Sequence, residues 1–199
     1  MKKVRFRFVT LIIGFMILGC ASLPENPQLK LMSVSAYEKL AAKNTRQTKN
    51  YDGFMNTMDL SATLLNSEML LAQADQSARV YQWTPEQYQT ERNQLNVSLQ
   101  KEAQIFLSFF IPERKYDDLA KNNTKWKIFL DAGGRRFEGK ATRLKNQLAE
   151  LLVFYPQHTR WQTAYRISFP VPMTLIEKET IKLTITGPVG SATVDFQPN

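Results

Sequence analysis

The chain is predicted to be an α+β protein that is mainly β, with an antiparallel β-sandwich-like domain that carries an N-proximal helical hairpin. Over residues 105–196, short apolar runs alternate with turn residues, a pattern typical of antiparallel strands rather than parallel strands joined by helices. Before that region, two segments within about 67–104 repeat apolar residues at helical spacing. A chain of this length forms one substantial core, so we predict a single domain over residues 51–199.

The first strand of this domain is predicted to begin near Tyr51. Apolar residues occupy alternate positions from Phe54 through Met58 to Leu64, interrupted by Asn56. Alternation of this kind places one set of side chains on a single face of a strand. We therefore expect Phe54 and Met58 to share one face of the sheet.

Two helices are predicted next, and they would pack as an antiparallel hairpin. Ser67 is a candidate N-cap for the first helix, which would run to about Tyr81. In the sequence from Thr84 to Gln87, an N-cap threonine precedes proline at the first helical position, and glutamine stands at the capping-box position. We expect the apolar face of this second helix to continue as far as Phe106.

Short apolar runs after the hairpin predict seven further strands, about eight in all. They cover residues 105–111, 125–131, 136–143, 150–155, 163–169, 180–186 and 192–196. Turns are predicted at residues 131–134 and 187–190, because their glycines adopt positive φ without steric cost. The last strands should therefore form hairpins.

Residues 20–50 are predicted to be a tether and linker in front of the domain. Pro24 and Pro27 suit an extended spacer. Ser35 lies three residues before Glu38, a capping-box spacing that predicts a short helix as far as Ala42. The polar segment 43–50 is predicted to be a second linker.

The N-terminus has the three parts of a secretory signal. Residues 2–7 contain four basic side chains, residues 8–18 are apolar apart from a threonine and a glycine, and small residues follow. The apolar run is shorter than the roughly 20 residues that a membrane-spanning helix requires. We therefore predict that residues 1–19 are a signal peptide.

Residues 17–20, which end in Gly19-Cys20, resemble the lipobox of bacterial lipoproteins. The resemblance covers about a tenth of the chain. It implies that the Cys20 sulfur carries a diacylglyceryl group, that palmitate-type acyl chains anchor the protein, and that cleavage makes Cys20 the first residue. Ala21 and Ser22, in place of aspartate, imply a periplasm-facing location at the outer membrane if the host is diderm.

Charge and residue counts argue against several classes of function. Residues 1–19 carry four of the 26 basic side chains and none of the 18 acidic ones, so the mature chain has a net charge of +4. The basic residues are dispersed, whereas nucleic-acid binding requires a concentrated basic face. Cys20 and His158 are the only cysteine and histidine, so we expect no metal site. No cofactor motif or Gly-x-Ser-x-Gly motif occurs, and we predict no catalytic residues.

The densest aromatic cluster is the best candidate for an interaction surface. It contains Tyr155, His158, Arg160 and Trp161. One interpretation is core packing, since aromatic side chains commonly fill cores. The other is an aromatic shelf for a glycan or lipid, in which Arg160 contacts an acidic group.

Three classes of function follow from these observations. The first is a lipid-anchored structural or protein-interaction module that docks onto another envelope protein. The second is a binding module for lipid, glycan or cell-wall polymer. The third is a hydrolase whose carboxylates, such as Asp117 with Asp118 or Glu177 with Glu179, meet only in space. Of these, we expect the interaction module and not the enzyme.

Overall fold

The computed structural model describes residues 28–198, which form two antiparallel sheets and five helices. The first sheet contains, in spatial order, β1 (Thr45–Asp52), β2 (Met55–Leu64), β3 (Ala103–Phe110), β7 (Thr163–Phe169) and β6 (Lys140–Arg143). The second contains β5 (Arg135–Glu138), β4 (Lys127–Ala132), β8 (Ile181–Gly187) and β9 (Gly190–Phe196). The helices are α1 (Val34–Lys43), α2 (Ser67–Val80), α3 (Pro85–Leu99), α4 (Leu148–Phe154) and α5 (Met173–Ile176). The predicted mainly β fold with a helical hairpin is confirmed.

Strand β3 lies at the centre of the fold and is buried on both faces. On one face, the Phe106 ring stacks in parallel on Tyr155, with ring centroids 3.4 Å apart. On the other face, the Phe109 ring meets the edge of Trp126, beside the four-stranded sheet. Alternate residues of a strand point to opposite sides, so the five-stranded sheet lies between a helical layer and the second sheet. Buried apolar residues from all three layers form one core.

Helix α1 lies in the segment predicted to be a tether, 17 residues before the expected start of the domain at Tyr51. Its N-cap is Ser33, whose hydroxyl accepts a hydrogen bond from the Ala36 amide. The predicted capping box at Ser35 is therefore wrong, although the helix itself is present. At the C-terminal end, the buried Asn66 amide donates to the Asn44 side chain at 3.0 Å. This contact joins α1 to the start of α2.

The helical hairpin lies between β2 and β3. Asn66, not Ser67, caps α2, because its side chain accepts from the Met69 amide at 2.9 Å. The predicted capping box of α3 is confirmed by reciprocal hydrogen bonds between Thr84 and Gln87. Helix α3 ends at Leu99, so the prediction that its apolar face reaches Phe106 is wrong.

The predicted linker at residues 43–50 is instead an edge strand. β1 pairs with β2 from Thr45 to Asp52, so the folded domain begins well before Tyr51. Polar residues form this strand because the backbone ladder of β2 provides its partners, and tertiary pairing overrides weak β propensity. Asn50 donates to the Ser191 carbonyl at 2.7 Å, which ties β1 to β9 of the other sheet.

The predicted strand 136–143 is divided between the two sheets. β5 pairs with β4, whereas β6 pairs with β7. The chain crosses at Gly139, whose backbone lies against the rings and methyl groups of the core. A Cβ atom there would lie 2.5 Å from a ring carbon of Phe169. Only glycine allows this close approach.

The predicted strand 150–155 is also wrong, because Leu148–Phe154 forms α4. Short apolar runs are compatible with either structure. Leu151 is buried in the core, while Leu148 and Leu152 are exposed on the other side of the helix. The predicted turns at 131–134 and 187–190 are confirmed by the β4–β5 and β8–β9 pairings.

We expect Gly139→Ala to lower the free energy of unfolding by roughly 1–3 kcal/mol, since overpacking forces neighbouring side chains to shift. Urea unfolding followed by circular dichroism measures this change. Gly134→Asn is a matched control, because Gly134 has φ +71° and open space around its Cβ position, and asparagine tolerates that conformation. Equal losses in the two variants would contradict the assignment of close packing at Gly139.

Candidate functional site

The predicted aromatic cluster is divided between the core and the surface. Tyr155 and His158 are buried, whereas Arg160 and Trp161 are exposed. Tyr155 belongs to the core through its stacking on Phe106. The prediction of an interaction surface therefore fails for Tyr155 and His158, and only Arg160 and Trp161 remain accessible.

His158 forms a buried hydrogen bond beneath the surface. Its Nδ1 lies 2.8 Å from Oγ of Ser108 on β3, and its ring meets the edge of Phe106. Burial lowers the pKa of His158 below its ordinary value of 6.5, since desolvation disfavours the charged ring. Sequence analysis missed Ser108 because the two residues are 50 positions apart.

Serine and histidine in hydrogen-bond contact are the atoms of a nucleophile–base pair. Here, however, Ser108 is only 1% exposed, and its hydroxyl points from a central strand into the packed interface with the helical layer. The Ser108 hydroxyl is therefore covered by the core. The contact therefore serves to orient the 155–161 segment against the sheet.

Three of the four carboxylates considered for hydrolysis accept hydrogen bonds within the fold. Asp117 accepts hydrogen bonds from Thr163 at 2.5 Å and from the Tyr165 hydroxyl at 2.9 Å, and burial raises the Tyr165 pKa. Thr124 donates to Asp118. Glu177 accepts from the backbone amide of Ser67 at 2.9 Å, where a negative charge is favourable at the N-terminus of a helix.

Four large apolar side chains are exposed at one end of the sandwich, which we call the loop end. It consists of residues 51–55, 111–116, 159–162 and 188–189. Phe54, Met55, Tyr51 and Trp161 are 106%, 73%, 59% and 66% exposed, respectively. The prediction that Phe54 shares a strand face with Met58 is wrong, because Phe54 lies in the turn before β2, where Gly53 has φ +56°. The Asp52-Gly53 pair is a turn signal that could have located this hairpin.

Contacts between loops hold the loop end together. The Arg114 guanidinium donates to the Trp161 carbonyl at 3.0 Å and lies over the Phe110 ring. A cleft of about 200 Å³ lies beside Met55, where it is lined by Ile111, Pro112 and Val189 among others. The apolar side chains are thus displayed on connected loops rather than on separate ones.

Helix α3 is the second unusual surface. Of its 15 residues, only Leu99 is buried. Its exposed side includes Gln89, Asn93, Gln94 and Val97. The helix is held to α2 by its contacts with that helix and by the hydrogen bond from the Tyr88 hydroxyl to Asp75.

Residues 28–198 contain no cluster of three or more histidine, cysteine, aspartate or glutamate side chains that could hold a metal ion. Over the same range, no helix combines the length and the apolar character needed to cross a membrane. Cys20 and the predicted signal peptide lie outside the described residues. Comparison with protein-family models, curated proteins and solved structures finds no match for this chain.

We expect the stability of the protein to decrease as the pH falls below the ordinary histidine pKa of 6.5. Below that pH, His158 binds a proton in the unfolded chain but not in the folded chain, whose His158 pKa is lower. The contribution of neutral His158 to stability is therefore complete above the unfolded-state pKa and is lost as the pH falls to the folded-state pKa. Unfolding free energies at about pH 7.5 and about pH 5 measure the effect. His158→Gln should reduce the difference, and an unchanged difference would contradict the assignment.

Proposed function

We propose that this protein is a lipid-anchored envelope lipoprotein that acts as a protein-interaction module at a membrane surface. The observation that carries the proposal is α3, a long helix that contributes a single buried residue to the core. A helix that is polar on nearly all sides gains little stability from packing against its own domain. A contact with another surface is one way to stabilise it.

The exposed side of α3 is suited to a protein partner by its chemistry. Gln89, Asn93 and Gln94 are uncharged amides that both donate and accept hydrogen bonds, and Val97 adds a half-exposed apolar group. Charged residues are depleted at the centres of protein interfaces. The capping box and the Tyr88–Asp75 hydrogen bond hold this side in a defined position.

Support for the anchor comes from the N-terminal sequence. The cationic start, the short apolar run and Gly19-Cys20 occur in the order of a lipoprotein signal. One acyl chain gives marginal membrane binding, whereas two or more hold a protein almost permanently. An anchored domain would meet partners only within reach of the membrane.

We expect Cys20→Ala to abolish lipidation of the precursor, because the substituted side chain has no sulfur for thioether formation. Labelling of expressing cells with a palmitate analogue, followed by mass spectrometry of the N-terminus, measures this directly. The wild-type chain serves as the labelled control. Recovery of a processed and acylated Cys20→Ala protein would contradict the anchoring proposal.

We expect Asn93→Arg/Val97→Glu to lower cross-linking of the full-length protein to its partner by about tenfold or more, as central interface substitutions do. The two charges are spaced i and i+4, so they form a favourable pair and preserve the helix. Quantitative mass spectrometry after gentle cross-linking in membranes measures the partner relative to the bait.

The control for this experiment is Ser35→Arg/Lys39→Glu. These residues are exposed on α1 with the same spacing, so the control carries the same Arg–Glu pair at a different helix, with a net charge lower by one than that of the α3 variant. Partner recovery should stay at the wild-type level. Equal recovery from the α3 variant and the wild type would refute docking through α3.

A binding module for lipid, glycan or wall polymer is the second candidate, and the exposed Trp161 beside Arg160 favours it. An aromatic ring and a cation can together hold a sugar ring or an acidic headgroup. A cleft of about 220 Å³ between α2 and α4, lined by Gln73, Tyr81 and Glu150 among others, offers a further polar pocket. If lipid or glycan is recovered with the protein from membranes, and the α3 substitutions do not change its amount, that result would favour this candidate.

A further inference from the structure

We propose that the loop end is a second membrane contact, in which Phe54, Met55 and Trp161 enter the interfacial layer of the bilayer. The proposal rests on the proposed anchoring through Cys20, which would place a bilayer beside the domain. The occupant of this surface is therefore lipid, not a protein partner.

The topology brings these side chains to the same end of the sheet. Asp59 of β2 pairs with Phe110 of β3, and Phe109 pairs with Thr163 of β7. The turn before β2 and the turn before β7 consequently lie at the same end of the sheet. Since adjacent strands are about 4.8 Å apart, the two turns are roughly 10 Å apart across β3, and the β1–β2 hairpin extends roughly 13 Å further along the strand direction.

The residues of the loop end have the exposure and the chemistry of an interfacial anchor. Among the described residues, ten large apolar side chains are exposed, and Tyr51, Phe54, Met55 and Trp161 of the loop end are four of them. Tryptophan and tyrosine combine an apolar ring with a polar atom, and they are enriched where hydrocarbon meets water. Phenylalanine and methionine at the tip of a hairpin can enter more deeply.

Ion pairs reduce the charge that would oppose this contact. Glu113 pairs with Lys115 at 2.6 Å, Arg114 pairs with Asp117 at 3.4 Å, and Asp59 pairs with Lys49 at 3.4 Å. Arg160 adds a cation beside Trp161, and Asp52 an exposed carboxylate beside the hairpin turn. The charges are therefore balanced, so the apolar side chains rather than attraction to anionic lipid supply the affinity.

The length of chain between the anchor and the domain supports this choice of occupant. Seven residues lie between Cys20 and Gln28, so the eight steps of a fully extended chain, at most about 3.6 Å each, span roughly 29 Å. For an anchored domain on so short a connection, contact with the bilayer is intramolecular, and its effective concentration is in about the millimolar range. The tether therefore adds to an affinity that the exposed apolar side chains have on their own.

The shape of the loop end also fits lipid better than protein. Phe54 is fully exposed at the turn of a two-stranded hairpin, so it projects beyond its neighbours. A stable protein interface buries about 800 Å² on each partner, which a projecting turn does not supply. A bilayer accepts isolated side chains without a matching surface.

The test uses the mature chain 20–199 carrying Cys20→Ser, which cannot be acylated, and vesicles of phosphatidylcholine with or without phosphatidylglycerol. We expect flotation with both kinds of vesicle, and quenching of Trp161 fluorescence by brominated lipid. Phe54→Ser/Met55→Ser should weaken flotation by about tenfold or more, because each large apolar side chain removed from lipid weakens binding substantially.

Leu175→Ser is the matched control, because Leu175 is 68% exposed in α5, which follows the opposite end of β7. It should float as the unsubstituted chain does, and Trp161→Phe should remove the lipid-dependent quenching. The proposal would be overturned if the chain did not float with vesicles, or if the loop-end substitutions left flotation unchanged. It would also be overturned if the loop end bound a protein and not lipid. A failure of Cys20 acylation in cells would be detected separately, so the two proposals fail independently.

Discussion

Strand β3 buries both of its faces, and this requirement determines how the rest of the chain is arranged. Its Phe109 side meets Trp126 and the four-stranded sheet, while its Phe106 side requires a cover made of helices. Full burial of a phenylalanine side chain is worth about 1.5–3 kcal/mol, so leaving either face in water would be costly. The helical layer is therefore part of the core, even though β-strands dominate the fold.

Polar contacts determine where that helical layer lies. The Asn44–Asn66 hydrogen bond joins the end of α1 to the start of α2. At the other end of α2, Asp75 accepts from the Met32 amide, and the fully buried Arg79 donates to the Met32 carbonyl. A buried polar group without a partner costs about 1–3 kcal/mol. These contacts consequently favour one position of the segment that connects the domain to the residues before it.

The surfaces that remain after this packing are of two different kinds. Helix α3 presents uncharged amides on a rigid helix, whereas the loop end presents aromatic and apolar side chains on connected turns. The first chemistry is suited to a protein and the second to lipid. A lipid-anchored module that holds a partner near a membrane would use both, because a second lipid contact limits the orientations in which α3 is displayed.

The sequence by itself determined the features that depend on neighbouring residues. The strand predicted at 163–169 coincides with β7, the capping box predicted at Thr84 forms, and the turn at residues 131–134 is present. Alternation, capping and glycine turns are local signals, and each acts within a few residues. The membrane anchor at Cys20 is likewise a local motif, and it stays a prediction.

Only the tertiary structure decided which elements pair and which side chains are covered. The polar segment at β1 becomes a strand because β2 offers a ladder, and residues 136–143 divide because Gly139 lies against Phe169. Of the four residues predicted to form an interaction surface, Arg160 and Trp161 are exposed. Tyr155 and His158 are buried by contacts with Phe106 and Ser108, which are about 50 residues away in the sequence. Burial depends on such distant contacts, and no local pattern contains them.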